Sequence, residues 1–341
     1  MSSPTVSPSP TTSAVASPLV APTTRPPLVG FGIVLGAAAL FGTLGPLSRF
    51  AYEAGMEPTA FVVWRGLIGL IGTSLYVAWR VRRGATRLVR LGDLPSRVRA
   101  MLLIAAVAGF TLNQFMFIAF DRITVALALL GFYTYPAMVA VVNLVLGRER
   151  LDRTRSLALG LAILGMIAVV ASQIDPAGGI RLDAIGIGLA LGAALSQTVF
   201  VVISRDGYSQ VPTEQAMALV LLVTVIGAAS LAILAGSPES LVYPLAAPRV
   251  LPLLLFTGIF AAAIPSLGFL TGIRAIGGTR AGILMLFEPV VGVALAAWLL
   301  GEALVPIQAL GAAAILAAAL LLQRTARGPE ATGPTIVPGG P

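Results

Sequence analysis

The chain has 341 residues, 57% of them hydrophobic and 11% charged, where soluble domains carry about 25% charged residues. With a mean hydropathy of +0.95, it is composed as a membrane protein with several spans. Cys and His are absent, which excludes disulfides, thiolate nucleophiles and imidazole acid–base or metal chemistry. The net charge of +8 rests on arginine alone, since the sequence has no lysine. A GxxxxGK[ST] phosphate loop, and with it a nucleotide-driven pump of that kind, is therefore excluded.

Residues 1–27 are rich in Ser, Thr, Pro and Ala with one charge, Arg25, and read as a disordered tail. They lack the basic start and short apolar core of a secretory signal. Ten apolar spans follow, at about 28–47, 58–79, 100–120, 123–147, 156–172, 184–203, 214–235, 250–272, 278–300 and 305–322. Each approaches the ~20 residues needed to cross a ~30 Å hydrocarbon core as a helix. Residues 173–183 read as a linker, and 324–341, polar and rich in Gly and Pro, as a second disordered tail.

Seventeen of the 22 arginines fall in segments on the same side as the N-terminus. Four (Arg49, Arg122, Arg181 and Arg249) fall on the other side, and Arg65 lies within a span. The positive-inside rule then puts both termini in the cytoplasm, for a multi-pass protein of a plasma (inner) membrane. The basic run between Arg80 and Arg99 is expected to meet anionic lipid head groups rather than nucleic acid.

An internal repeat is visible. Shifted by 153 residues, Ile123, Ala128, Pro136, Glu149 and Leu151 fall on Ile276, Ala281, Pro289, Glu302 and Leu304. Shifted by 156, Gly32, Leu35, Gly36, Ala37, Ala38, Ser48 and Arg49 fall on Gly188, Leu191, Gly192, Ala193, Ala194, Ser204 and Arg205, seven identities in 18 positions. The units at 28–172 and 184–323 therefore hold five spans each. An odd number inverts the second copy across the membrane, so the expected fold is all-α, ten transmembrane helices in two inverted five-helix repeats. Such repeats build secondary transporters, with the substrate site near the midplane.

The stretches ITVALALLGFYTYPAMVAVVNLVLGRERL (123–151), GGTRAGILMLFEPVVGVALAAWLLGEAL (277–304), GIVLGAAALFGTLGPLSR (32–49) and WRGLIGL (64–70) resemble EamA-type members of the drug/metabolite transporter superfamily. The resemblance runs from about 30 to 323. It implies a ten-helix transporter and leaves the substrate open, since such proteins mostly export amino acids, related metabolites or toxic compounds. The chain departs from the family in having Phe41-Gly42 where a Trp-Gly pair is frequent. It also has Tyr135-Pro136 in the first copy where the second has Glu288-Pro289.

Glu288 is the leading candidate. A carboxylate near mid-membrane costs about 2.5–3.5 kcal/mol on insertion scales and by default marks function. It is expected to face a cavity and either bind a substrate ammonium or carry a coupling proton; the competing reading is packing, or service as counter-ion to Arg65. Arg65 is expected to neutralise Glu288 or grip a substrate carboxylate, unless it snorkels to the surface. Gly66, Gly69 and Thr73 form a small-residue strip beside it. Asn113, Gln114, Tyr133, Tyr135, Gln197, Thr198, Ser266 and Thr271 are polar groups within spans, and Phe41 and Trp64 could face a cation; all are candidates for the cavity lining. Pro136, Pro265 and Pro289 are the expected helix breaks. Glu149 and Glu302, at span ends, read as structural.

No catalytic residues, metal ligands or cofactor are expected, and the partners are a small-molecule substrate and the lipid bilayer. The expected function is secondary-active export of amino acids or related small metabolites by alternating access. Export of lipophilic cations or drugs is the alternative within transport, and a non-transporting scaffold or receptor the alternative outside it. The oligomeric state, monomer or homodimer, is left open.

Overall fold

The computed structural model describes residues 27–148, 152–172, 183–300 and 305–326. The first tail up to residue 26, nearly all of the linker, most of the second tail, and Glu149 and Glu302 lie outside the described residues. In chain order the first helices are α1 (Pro27–Phe41), α2 (Leu44–Glu53), α3 (Pro58–Arg82), α4 (Ser96–Arg122), α5 (Val125–Phe132), α6 (Tyr135–Val145) and α7 (Arg153–Ala171). The second unit continues with α8 (Ala184–Asp206), α9 (Thr213–Leu234), the short α10 (Tyr243–Ala246), α11 (Leu251–Gly258) and α12 (Ile264–Ile276). It ends with α13 (Gly278–Met285), α14 (Glu288–Leu300) and α15 (Pro306–Ala326).

Among the described residues, eight helical stretches are long and apolar enough to cross a membrane, and Pro306–Leu322 is a shorter apolar helix. The expected span 278–300 is instead two helical pieces of 8 and 13 residues. Other edges move as well: the first stretch runs on to Glu53 and the eighth covers Pro248–Ile276. Hydropathy stops at the first charge, whereas backbone hydrogen bonding carries the helix past Arg49 and Arg274 into more polar surroundings.

Three of the expected spans break midway. The breaks fall at Gly42 and Thr43, at Tyr133 and Thr134, and at Leu286 and Phe287. A proline follows each within four residues: Pro46, Pro136 and Pro289. Proline offers no N–H and crowds the carbonyl four residues back, so the ladder opens just ahead of it. Freed carbonyls in a membrane need other donors. Thr43 Oγ1 donates to Leu40 O at 2.7 Å, and Thr134 Oγ1 to Gly131 O at 2.7 Å. Ahead of Pro265 the helix widens into a π-turn at Ile259–Ala263 rather than breaking.

The units pack on each other more than within themselves: α7 lies along α15, α3 along α9, α4 along α8, and α1 along α12. Of the GxxxG glycines, Gly32, Gly36 and Gly188 face open space, while Gly268 and Gly272 receive α1. The closest backbone-to-backbone approach is elsewhere. A Cβ at Gly165 would stand 2.6 Å from Gly311 O, and one at Gly311 2.5 Å from Gly165 O. Gly165→Val is therefore expected to push α7 off α15 at a cost of about 1–3 kcal/mol, read as a lower Tm of the detergent-purified protein. An unchanged Tm would contradict this packing.

α8 is continuous and so marks the two ends of the bundle. Gly186 at its start packs on Ile123, with Arg122 paired to Asp183. Its other end meets Met101 at Gly207, and Val201 lies against Gly278. Gly30, at the start of α1, packs on Ile276 at that same second end.

Candidate functional site

The three breaks and the π-turn converge on one cavity of about 750 Å³. Its lining includes Gly42 from the first break, Tyr133 and Tyr135 from the second, and Glu288 and Pro289 from the third. Arg49, Phe50 and Glu53 of α2, Ser172, Val305 and Gln308 also line it, all at the end where α8 begins. The cavity therefore opens at that end. The opposite end is filled by α13 packed on α6 and α8.

Glu288 is the first residue of α14, placed there because Pro289 suits the first turn of a helix. Its backbone is pinned by Gly42, where a Cβ would lie 2.6 Å from Glu288 O and 3.0 Å from Val291 Cβ. Only glycine lets α1 and α14 approach so closely. The polar neighbours of the carboxylate are Tyr133 and Tyr135, whose hydroxyls are buried. Gln197 stands beside Tyr135. Glu288 has no ion pair with a described residue.

Arg65 is 5% exposed and does not snorkel. It is held by a consequence of Pro265. Pro265 has no N–H to offer the carbonyl four residues earlier, Ala261 O, and Arg65 Nη1 donates to that oxygen at 3.0 Å. Arg65 Nη2 donates to Asn113 Oδ1. The guanidinium also lies over the Phe117 ring, 5.1 Å from its centroid. Nε is buried with no partner, so its N–H remains to be satisfied. Gly69 brings α3 close, a Cβ there standing 3.1 Å from Gly258 O.

Asn113, Tyr133, Tyr135, Gln197, Ser266 and Phe41 line the cavity with Glu288 and Arg65. Four expected residues do not. Trp64, about 100° around α3 from Arg65, donates from Nε1 to Leu241 O at 2.8 Å. Thr198, similarly rotated from Gln197, bonds Ala194 O of its own helix at 2.8 Å, and Thr271 bonds Leu267 O at 2.7 Å. Gln114 is buried away from the cavity with neither amide atom bonded. Of the expected break residues, Pro136 and Pro265 act from behind the lining, and Pro289 reaches it. Phe117, Phe132, Phe269, Gly42 and the residues at the mouth were not anticipated. Only Gly42 carried a signal, as a glycine shortly before a proline. Among the described residues no cluster of acids suits a metal ion.

A family model described as the EamA-like transporter family matches residues 28–171 and again 184–324. The chain belongs to the EamA-like transporter family. It is thus a multi-pass membrane transporter of the drug/metabolite superfamily built from two family units. No curated protein matches the sequence. A solved structure described only as "Crystal structure of protein" is similar in fold, with a TM-score of 0.70 at 21% identity, over 89% of this chain and 99% of that one. For this EamA-like chain the two matched units meet at the cavity, with Arg65, Asn113 and the two tyrosines from the first and Gln197, Ser266 and Glu288 from the second.

Proposed function

We propose that this protein is a secondary-active transporter exporting amino acids or closely related small metabolites by alternating access. The observation that carries the reading is the cavity that holds the carboxylate of Glu288 and the guanidinium of Arg65 among aromatic and aliphatic walls, with Arg49 and Glu53 at its mouth. The pair complements a zwitterion: the unpartnered Nε–H of Arg65 suits a carboxylate, and Glu288 with the neighbouring tyrosine hydroxyls suits an ammonium. A volume of about 750 Å³ lies within the usual ~300–1,000 Å³ of small-molecule sites.

We read the two family units as inverted copies making ten crossings, α13 and α14 together forming one. In support, Gly30 meets Ile276 at one end of the bundle and its counterpart Gly186 meets Ile123 at the other. The arginine distribution then makes the filled end cytoplasmic, with both termini, in a plasma membrane, and the cavity faces outward. Glu288 is the group proposed to couple transport to a proton or ion.

The test is counterflow by purified protein in liposomes, with thermal shift as a parallel screen of zwitterionic amino acids against lipophilic aromatic cations. Zwitterions are expected to raise Tm and to be exchanged. Stabilisation by cations alone would favour the drug-exporter reading, although Arg65 in the same cavity opposes a cation unless its charge is offset. Absence of any transported solute would overturn the proposal.

A further inference from the structure

At the filled end one side chain joins three segments. Arg274, in the last turn of α12, donates from Nη1 to Val211 O at 2.9 Å and to Thr213 Oγ1 at 3.0 Å. Nη2 reaches Tyr208 O at 3.3 Å and Nε reaches Ser204 O at 3.4 Å. The guanidinium lies over the Tyr208 ring, 5.1 Å from its centroid, and the buried Tyr208 hydroxyl is bonded to Ser204 Oγ. The end of α8 and its turn into α9 are thereby tied to α12. Two further bonds close the same end, Asn143 Nδ2 to Thr279 Oγ1 at 3.3 Å and Arg148 Nη1 to Val202 O at 3.0 Å.

The repeat gives this clamp a counterpart at the mouth. A shift of 156 carries Ser204 and Tyr208 onto Ser48 and Tyr52, the same residue types, while a shift of 153 carries Arg274 onto Asp121. Asp121 is exposed and bonded to no described residue. Tyr52 keeps its hydroxyl buried beside Ser48 and Asp121, and Ser48 Oγ donates to Gly45 O at 2.9 Å. The Ser/Tyr pair of the receiver is present at both ends and the arginine at only one. Arginine brings five N–H groups to a set of carbonyl and hydroxyl oxygens, whereas an ionised carboxylate only accepts and is repelled by the same carbonyls.

We propose that Arg274 is the latch that holds the cavity closed at the filled end, and that Asp121 in the matching place leaves the opposite end open at rest. The idea rests on the transport reading only for its purpose. The latch itself is read without substrate, so either can fail while the other stands.

The chain has no cysteine, so one introduced by Ser266→Cys in the cavity wall reports which face reaches it. Oriented vesicles are treated on each face with a membrane-impermeant maleimide. With Arg274 in place, labelling is expected from the open end alone. Arg274→Ala is expected to raise labelling from the filled end by at least about fivefold as the population shifts, with Arg274→Lys intermediate. Asp121→Arg alters an exposed residue and so tests the latch even where Arg274→Ala does not fold; it is expected to slow labelling from the open end by a similar factor. A folded Arg274→Ala protein with no gain at the filled end would overturn the latch. Unslowed labelling of the Asp121→Arg protein would overturn the explanation of the resting state.

Discussion

Glu288→Gln is expected to reduce transport of a zwitterionic substrate roughly 10–150-fold, because a hydrogen bond to a charged group contributes about 1.5–3 kcal/mol and each tenfold change is ~1.4 kcal/mol. The substitution is close to isosteric. It leaves the break ahead of α14 and the packing of Gly42 on Glu288 O unchanged, so Tm without substrate should hold. Glu288→Asp keeps the charge but withdraws it by one methylene from the tyrosine hydroxyls, and partial activity is expected. The two roles proposed for the carboxylate separate cleanly. If it carries a coupling proton, the Gln variant should still exchange substrate at equal concentrations and lose only accumulation driven by a pH gradient. If it grips the ammonium, exchange and accumulation should fall together. Full activity of both variants across the pH range would remove Glu288 from the mechanism.

Much of the architecture could be read from the sequence because a bilayer imposes a length. An apolar run of about twenty residues has few alternatives to a spanning helix, and the 153- and 156-residue offsets expose the two units. Which way a side chain faces was far less legible. In soluble helices an apolar stripe marks the buried face, but here lipid and core are both apolar, so the pattern carries little direction. Trp64 and Thr198 were misplaced for that reason, each one position from a true lining residue. Proline showed two of the three breaks, at Pro136 and Pro289; the one ahead of Pro46 was not anticipated, and the helix at Pro265 widened instead of breaking. Proline did not show that the breaks would open two or three residues earlier, where Thr43 and Thr134 hydroxyls take up the freed carbonyls. The environment of Arg65 was beyond sequence reasoning. One partner is an amide 48 residues away and the other a backbone oxygen four residues before a proline two hundred positions on.

Arg65→Ala is expected to be the most damaging single change in the cavity. It strands Asn113 Oδ1 and Ala261 O in a low-dielectric interior, at roughly 1–3 kcal/mol for each unsatisfied group, and strips the cation from Phe117, about 0.5–2 kcal/mol more. Pro265 has no hydrogen with which to repair the Ala261 carbonyl. Arg65→Lys retains the charge but not the fork, so it should satisfy one oxygen and leave the other. A lower Tm would follow from a purely structural arginine too, so a second variant is needed. Arg65→Leu combined with Asn113→Leu replaces most of the polar cluster by apolar bulk, a trade that is often neutral or stabilising for buried charges. The double variant is expected to recover most of the Tm while remaining unable to transport carboxylate-bearing substrates. Removing the Glu288 charge as well should not restore transport, since Arg65 is bonded to Asn113 and Ala261 rather than to Glu288. Should the double variant transport zwitterions at the natural rate, Arg65 is a brace for the π-turn, and the substrate carboxylate must be met by another group along the cavity.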